Sequence, residues 1–456
     1  MAIKNTIYKI YDKFGIKSDR TKNITKHVLL SFLYKGGSII ASFLLVPLTI
    51  DYLDTENYGI WLTLSSFISW FSFFDIGLGN GLRNKFAEAK AKGDMATARG
   101  YVSSAYFTIG AFSLGLIVLF TGLNFFIDWT KIFNASPNLG KDLSVLMPIV
   151  FGFFCLQLVV KLITTIYTAD QNHSMQGKIN FYTQAGSVLI IWIMTKASES
   201  SLLIFGAIFS SLPVFLLLWF NLFAFNKRYF DFKPSIKYWK KAYLRDIFGL
   251  GLNFFIIQIS GIVLYSTDNF IISKLFSPAE VVPYNIAYKY IGMASMLFSI
   301  IAAPYWSSIT EAYSRLDFEW IKLAMKNFQR ISLLFVVLIF CMTVISSLMY
   351  QVWIGNKVFI SFNLTLLMGI FFSFSIIVTP FTIFFNGTGK IWLQAVQSVF
   401  SAILNIPLSI YLASNVKLGI EGVILSTILC FIPSIVLSRI QYKKLINNKA
   451  TGVWNR

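Results

Sequence analysis

The sequence predicts an all-α polytopic membrane protein, with about twelve transmembrane helices in two pseudo-symmetric six-helix lobes around a central lumen. Three observations predict it. Hydrophobic residues make up 56% of the 456 and charged residues 13%, against about 25% charged in soluble domains. Apolar runs of about 20 residues, each enough to cross roughly 30 Å of hydrocarbon as a helix, recur along the whole chain. Segments of the first half also return, in order, in the second.

The expected spans are approximately 27–50, 57–79, 101–123, 144–167, 179–195, 201–225, 247–275, 281–303, 328–350, 358–385, 390–413 and 417–439. Residues 1–26 form a basic, amphipathic N-terminal segment without the short apolar core and small-residue cleavage site of a signal peptide. The net charge of +19 is a topology signal, because 30 of the 39 Lys and Arg fall on one set of loops and termini. The opposite loops hold only Lys131, Lys141, Lys196, Lys274, Lys357 and Lys417. By the positive-inside rule both termini are cytoplasmic. The basic surplus then faces anionic lipid headgroups, and a nucleic-acid partner is not expected. Cys155, Cys341 and Cys430 all lie in apolar runs, so neither a disulfide framework nor a Cys-based metal site is expected.

The longest polar segment between spans, residues 226–246, divides an N-lobe of spans 1–6 (27–225) from a C-lobe of spans 7–12 (247–440), and 441–456 form a cytoplasmic tail. AEAKAKGD, ending at Asp94, matches TEAYSRLD, ending at Asp317, at an offset of 223 residues. QGKIN at Gln176 matches TGKIW at Thr388, and IFGAIFSS at Ile204 matches IEGVILST at Ile420, with offsets of 212 and 216. Ordered matches with drifting offsets point to an old duplication. An even number of spans per copy inserts both copies with the same orientation, an arrangement that belongs to transporters.

Two glycine-rich stretches resemble nucleotide loops and fail the test of their surroundings. GLGNGL, at Gly77, Gly79 and Gly81, lacks the third fingerprint glycine, since Leu82 stands there, and it follows a membrane-length apolar run. FFNGTGKI has Phe384 and Ile391 where a phosphate loop needs Gly and Ser or Thr. The first stretch is expected to permit close helix packing or a bend at the membrane exit. Gly387 and Gly389 of the second are expected to make a turn between spans.

Polar residues recur at helical spacing within five spans. They are Ser31, Lys35, Ser38 and Ser42 in span 1; Ser65, Ser69, Ser72 and Asp75 in span 2; and Gln157, Lys161, Thr164, Thr165 and Thr168 in span 4. Span 7 adds Gln258, Gly261, Tyr265 and Asp268, and span 11 adds Gln394, Gln397, Ser398, Ser401 and Asn405. Such stripes either line a shared aqueous lumen or hydrogen-bond neighbouring helices. Intramembrane charges normally face a protein interior or wet cavity. Lys35 and Lys289 lie about eight residues inside their spans, roughly 12 Å at helical rise, too deep for easy snorkelling. Asp268 lies at a depth similar to that of Lys289, and the two are expected to be able to form an ion pair. A lumen holding Lys35, Lys161 and Lys289 suits an anionic, phosphate-bearing ligand.

YGIWLTLSSFISWFSFFDIGLGNGLRNKFAEAKAKGD, from Tyr58 to Asp94, and STDNFIISKLFSPAEVVPYNIAYKY, from Ser266 to Tyr290, resemble a known family. It is that of the bacterial O-antigen and capsule polysaccharide flippases, in the multidrug, oligosaccharidyl-lipid and polysaccharide exporter superfamily. The resemblance implies alternating access and flipping of an undecaprenyl-pyrophosphate-linked oligosaccharide across the cytoplasmic (inner) membrane, with no enzymatic activity and no cofactor. It implies lumen cations for the pyrophosphate, fitted by Lys35 and Lys161, and coupling to a Na⁺ or H⁺ gradient, for which Asp268 and then Asp75 are candidates. Membrane lipids and other polysaccharide-assembly proteins are the further partners it implies. A drug exporter of the same fold should carry an acid-rich cavity. A polysaccharide polymerase or glycosyltransferase should carry a large outer loop or a DxD motif, and neither is present.

Overall fold

The computed structural model describes residues 19–71, 78–170, 172, 174–197, 199–248 and 252–455. Among the described residues the chain is helical throughout, without a β-strand. In chain order the helices are α1 (Asp19–Ser69), α2 (Leu78–Ala91), α3 (Met95–Asn124), α4 (Trp129–Phe133), α5 (Gly140–Val160), α6 (Leu162–Ala169), α7 (Ser174–Ala197) and α8 (Leu202–Asn226). They continue as α9 (Lys241–Phe248), α10 (Leu252–Leu275), α11 (Pro278–Ser314), α12 (Phe318–Val344), α13 (Ser346–Ile354), α14 (Phe362–Thr388), α15 (Trp392–Ile410) and α16 (Ile420–Ile446).

Nine helices among the described residues are long and apolar enough to cross a membrane. They account for ten of the twelve expected spans, because α1 carries two of them. It breaks at Asp54 (φ 68°, ψ 175°), whose carboxylate accepts from the Asn57 backbone N–H at 2.9 Å and from Asn57 Nδ2 at 2.7 Å. A backbone set outside the helical region, and a side chain that caps the next helix, turn one long apolar run into two. The fifth and seventh expected spans are α7 and α10, of 24 residues each.

The chain forms two compact units. The first comprises the segment up to Leu48, Gly77–Ile127 and Ser144–Leu250; the second comprises Thr49–Ile76, Asp128–Leu143 and Gly251–Arg456. This grouping by proximity is a different division from six spans and six, since it assigns the second span to the second unit.

In the first unit, α2 packs on α3 and α6, and α9 packs on α2 and α3. Gly81 permits this, because a Cβ there would lie 2.0 Å from the Ile247 carbonyl oxygen. Of the three glycines in that stretch, Gly77 lies outside the described residues. The α5–α6 break has a specific cause. Asn221 of α8, buried, donates from Nδ2 to the Val160 carbonyl at 2.7 Å, while its Oδ1 accepts from Tyr106 at 2.7 Å. The Thr164 N–H bonds Lys161 O at 2.9 Å. A side chain inserted into the hydrogen-bond ladder is a recognised origin of such breaks.

Just beyond α6, Asp170 gathers Lys90 of α2, Arg228 (Nη2 at 2.6 Å) and Tyr229 (OH at 3.0 Å). Burial raises the Asp170 carboxyl, but hydrogen bonds and charge from Lys90 and Arg228 outweigh it, and the group sits below the usual carboxylate range.

In the second unit, α14 is packed by α11, α12 and α16. Near its end Gly387 lies inside the helix, where a Cβ would come within 3.1 Å of Ile309 and 3.3 Å of the Trp306 carbonyl. Gly389 alone makes the turn, at φ +74°, with its N–H returned to Phe385 O.

The first repeat is preserved in structure. Gly93 and Leu316 are both left-handed (φ 75° and 59°), and each precedes an Asp that caps the next helix. The Asp94 carboxylate accepts from Thr97 N at 2.9 Å and that of Asp317 from Trp320 N at 3.0 Å. The backbone bonds 93→90, 94→89, 95→93 and 98→94 recur as 316→313, 317→312, 318→316 and 321→317. The second repeat diverges, since Gly177 is helical where Gly389 is a left-handed cap.

Candidate functional site

Polar residues of α14, α15 and α16, with Gly261 of α10, enclose a cavity of about 270 Å³ in the second unit. Helix α15 supplies Gln394, Gln397, Ser398 and Ser401, which is most of the expected span 11 stripe. Helix α14 adds Ser375, Thr379 and Thr382, and α16 adds Thr427, Ser434 and Ser438 beside Phe431. Steps of three and four residues put these groups on one face of each helix.

The lining carries hydroxyls and amides and, among the described residues, no charged group. Some of its bonding capacity is already spent. Gln397 Nε2 donates to Ser434, and Ser401 Oγ donates to the Cys430 carbonyl at 2.9 Å. Gln394 differs, because its Oε1 is buried without a hydrogen-bond partner among the described residues. An orphaned buried amide oxygen is costly and asks for a donor from outside the protein.

Asn405, the last member of the same stripe, does not line this cavity. It is fully buried and donates to Thr427 Oγ1 at 3.0 Å and Ser426 Oγ at 3.4 Å. Its role is to join α15 to α16. Ser69 is likewise placed in a helix contact, donating to Ser266 Oγ at 2.9 Å.

Asp268 is buried on α10, and Tyr284 of α11 donates to its Oδ2 at 2.5 Å. The expected ion pair with Lys289 is not formed. The turn at 276–277 sets the register of the α10–α11 hairpin so that Asn269 pairs with Asn285, through bonds of 2.7 and 3.4 Å, and Asp268 pairs with Tyr284. Lys289 therefore lies about one helical turn further along α11 than the residue facing Asp268. Asp268 Oδ1 remains buried without a hydrogen-bond partner among the described residues. Asn269 Nδ2 also donates to Ser66 Oγ at 2.8 Å, so a polar ladder crosses α1, α10 and α11.

Lys35 of α1 and Lys161, at the α5–α6 break, are exposed in the first unit, and Lys289 is half-buried in the second. Ser38 donates to the Tyr34 carbonyl at 2.8 Å, and Ser42 and Gln157 are half-buried. Ser72 and Asp75, and the side chains of Ser31, Gln258 and Tyr265, lie outside the described residues. Sequence reasoning did not single out Asn221, Tyr106 or the hydroxyls of α14 and α16. The signal available for the last was the spacing of Ser375, Thr379 and Thr382, and of Thr427, Ser434 and Ser438.

The fold is that of known transporters. An inward-facing multidrug resistance MATE family transporter of the MOP superfamily matches with a TM-score of 0.70 at 14% identity, covering 92% of this chain and 96% of that one. An outward-facing structure of such a transporter matches with a TM-score of 0.68 at 12% identity, covering 95% and 97%. In sequence the chain is 22% identical over 304 residues to a candidate O-antigen export protein of Yersinia pseudotuberculosis, covering 65% of this chain and 68% of that protein. It is 23% identical over 317 residues to a candidate O-antigen transporter of Salmonella typhi, covering 67% and 69%. Residues 24–310, well over half of the chain, match the family described as "Polysaccharide biosynthesis protein". The chain is thus a multi-pass membrane protein that belongs to the polysaccharide biosynthesis protein family.

Proposed function

We propose that this protein is a transporter, not an enzyme, that flips an undecaprenyl-pyrophosphate-linked oligosaccharide across the bacterial cytoplasmic membrane by alternating access. The observation that carries the reading is the neutral polar cavity with the orphaned Gln394 Oε1. Sugar hydroxyls both donate and accept, so they satisfy such a lining. A cationic drug would instead favour a carboxylate, which no described lining residue supplies. Family membership and the names of the O-antigen relatives support the same substrate class.

In this reading Lys35 and Lys161 attract the pyrophosphate, with Lys289 as a third cation. Asp268 is the site at which Na⁺ or H⁺ acts, since an ion drives a conformational change only by binding one state better than the other. Both termini are cytoplasmic, and membrane lipids and other polysaccharide-assembly proteins are the partners.

Deletion of the gene and complementation tests the proposal. The deletion strain should lose surface polysaccharide and accumulate its lipid-linked repeat inside. Wild-type protein should restore export, whereas Lys35→Ala, made at normal protein level, should not, and Gln394→Ala should restore it only in part. Normal surface polysaccharide in the deletion strain would remove the reading.

A further inference from the structure

We propose that the groove between α12, α14 and α16 is a binding site for an anionic glycerophospholipid of the cytoplasmic leaflet. The cavity there is about 340 Å³ and lies wholly within the second unit. Its chemistry is graded along the membrane normal. Leu333, Ile377, Phe381 and Ile435 form apolar walls, and Arg439, Lys443, Gln329 and Tyr442 form the opposite, polar end.

The sequence of each helix puts that gradient at the membrane interface. Helix α12 carries exposed Lys322, Lys326 and Arg330 before its uninterrupted apolar run begins at Leu333. Helix α16 ends its apolar run before Arg439 and continues into Lys443 and Lys444. The polar end of the groove therefore coincides with the level at which both helices leave the hydrocarbon.

Arg439 and Lys443 are four residues apart, on one face of α16, and both are exposed. Neither forms an ion pair with any described residue. An Arg fork and a Lys point charge at the headgroup level match a phosphodiester. Gln329 supplies a neutral donor and acceptor for a glycerol headgroup. The Tyr442 ring, held edge-on against Phe381 at 5.6 Å and Phe384 at 5.0 Å, walls the transition from headgroup to acyl chain. Leu333 is 58% exposed at the groove mouth, open to an acyl chain lying along α12.

Charge complementarity and the position at the interface commit the groove to a membrane phospholipid. The lipid-linked pyrophosphate is the competing occupant. The test is native mass spectrometry and thermal unfolding of the purified full chain with phosphatidylglycerol or phosphatidylcholine.

Phosphatidylglycerol should remain bound and raise Tm, and phosphatidylcholine should do neither. The double variant Arg439→Gln/Lys443→Gln should lose at least tenfold in phosphatidylglycerol occupancy. Gln329→Glu, a near-isosteric change at the polar end, should lose it as well by placing an anion beside Arg439 and Lys443. Arg439→Lys/Lys443→Arg should retain it. Equal retention by wild type and both charge-altering variants would overturn the proposal, as would equal binding of phosphatidylcholine. Displacement of phosphatidylglycerol by equimolar undecaprenyl pyrophosphate would assign the groove to the substrate carrier, and displacement by millimolar inorganic phosphate would leave only a free-anion site. Either result overturns it.

Discussion

Asp94 and Asp317, 223 residues apart, cap their helices through the same bond to the residue three positions on, and each follows a residue in the left-handed conformation. Glycine fills that position in the first copy and Leu316 in the second. A side chain in this region costs about 1–2 kcal/mol. Leu316→Gly should therefore stabilise the protein by about 1 kcal/mol, and Gly93→Leu should destabilise it by a similar amount. Thermal unfolding in detergent checks both; a lower Tm for Leu316→Gly would contradict the shared geometry.

The duplication was legible because this motif is local, with a backbone turn and a cap contained in eight residues. The spans were legible because hydropathy needs no partner. Which polar stripes face a cavity was not legible. Asn405 and Gln394 share a stripe, and each keeps an amide oxygen without a partner among the described residues. The neighbouring helix decides their roles, since Ser426 and Thr427 take up the Asn405 amide N–H groups while Gln394 borders the cavity. The Asp268–Lys289 pairing failed for a related reason. Depth along a span does not fix hairpin register, and a shift of about one turn replaces Lys289 with Tyr284.

Gln394 and Asn405 should accordingly part company on mutation. Asn405→Leu removes the amide donor to Ser426 and Thr427, whose own hydroxyls stay bonded to the Asn405 and Val423 carbonyls, and should cost about 1 kcal/mol of stability. Export per folded molecule should be unchanged. Gln394→Ala removes an unsatisfied oxygen, so Tm should hold or rise while export falls roughly fivefold, the effect of a lost hydrogen bond of about 1 kcal/mol. Quantified surface polysaccharide and unfolding curves separate the two, and a Tm loss without an export loss at Gln394 would remove it from the site.

Asp170 gives a pH dependence with a definite sign. Its folded-state pKa is depressed, so its contribution is fully present above the unfolded value, near 3.9. That contribution is lost as pH falls through the lower folded value. Asp170→Asn should cost about 2 kcal/mol at pH 7, and that difference should shrink below about pH 4. Unfolding of wild type and variant across pH 3–7 tests this. A difference that stays constant with pH would mean that packing, rather than the charges of Lys90 and Arg228, holds the junction.

Asp268 and Tyr284 test the coupling role. Asp268→Asn should abolish export at normal protein level without preventing the lipid-linked substrate from binding. Tyr284→Phe should weaken export and cost about 2 kcal/mol by taking the donor from a buried carboxylate. If the pair is only structural, Asp268→Leu with Tyr284→Phe removes both polar partners and should restore export that the single changes lost. Restored export in that double variant contradicts a coupling role.

The central claim is tested most directly by reconstituting the purified protein in liposomes with a fluorescent undecaprenyl-pyrophosphate oligosaccharide in both leaflets and adding a membrane-impermeant quencher. Liposomes with wild-type protein should expose nearly all of the probe as it exchanges between leaflets. Protein-free liposomes, and those with Lys35→Ala or Asp268→Asn, should expose only the outer half. Exposure of only half the probe by folded, membrane-inserted wild-type protein, under both Na⁺ and H⁺ gradients, would contradict the account.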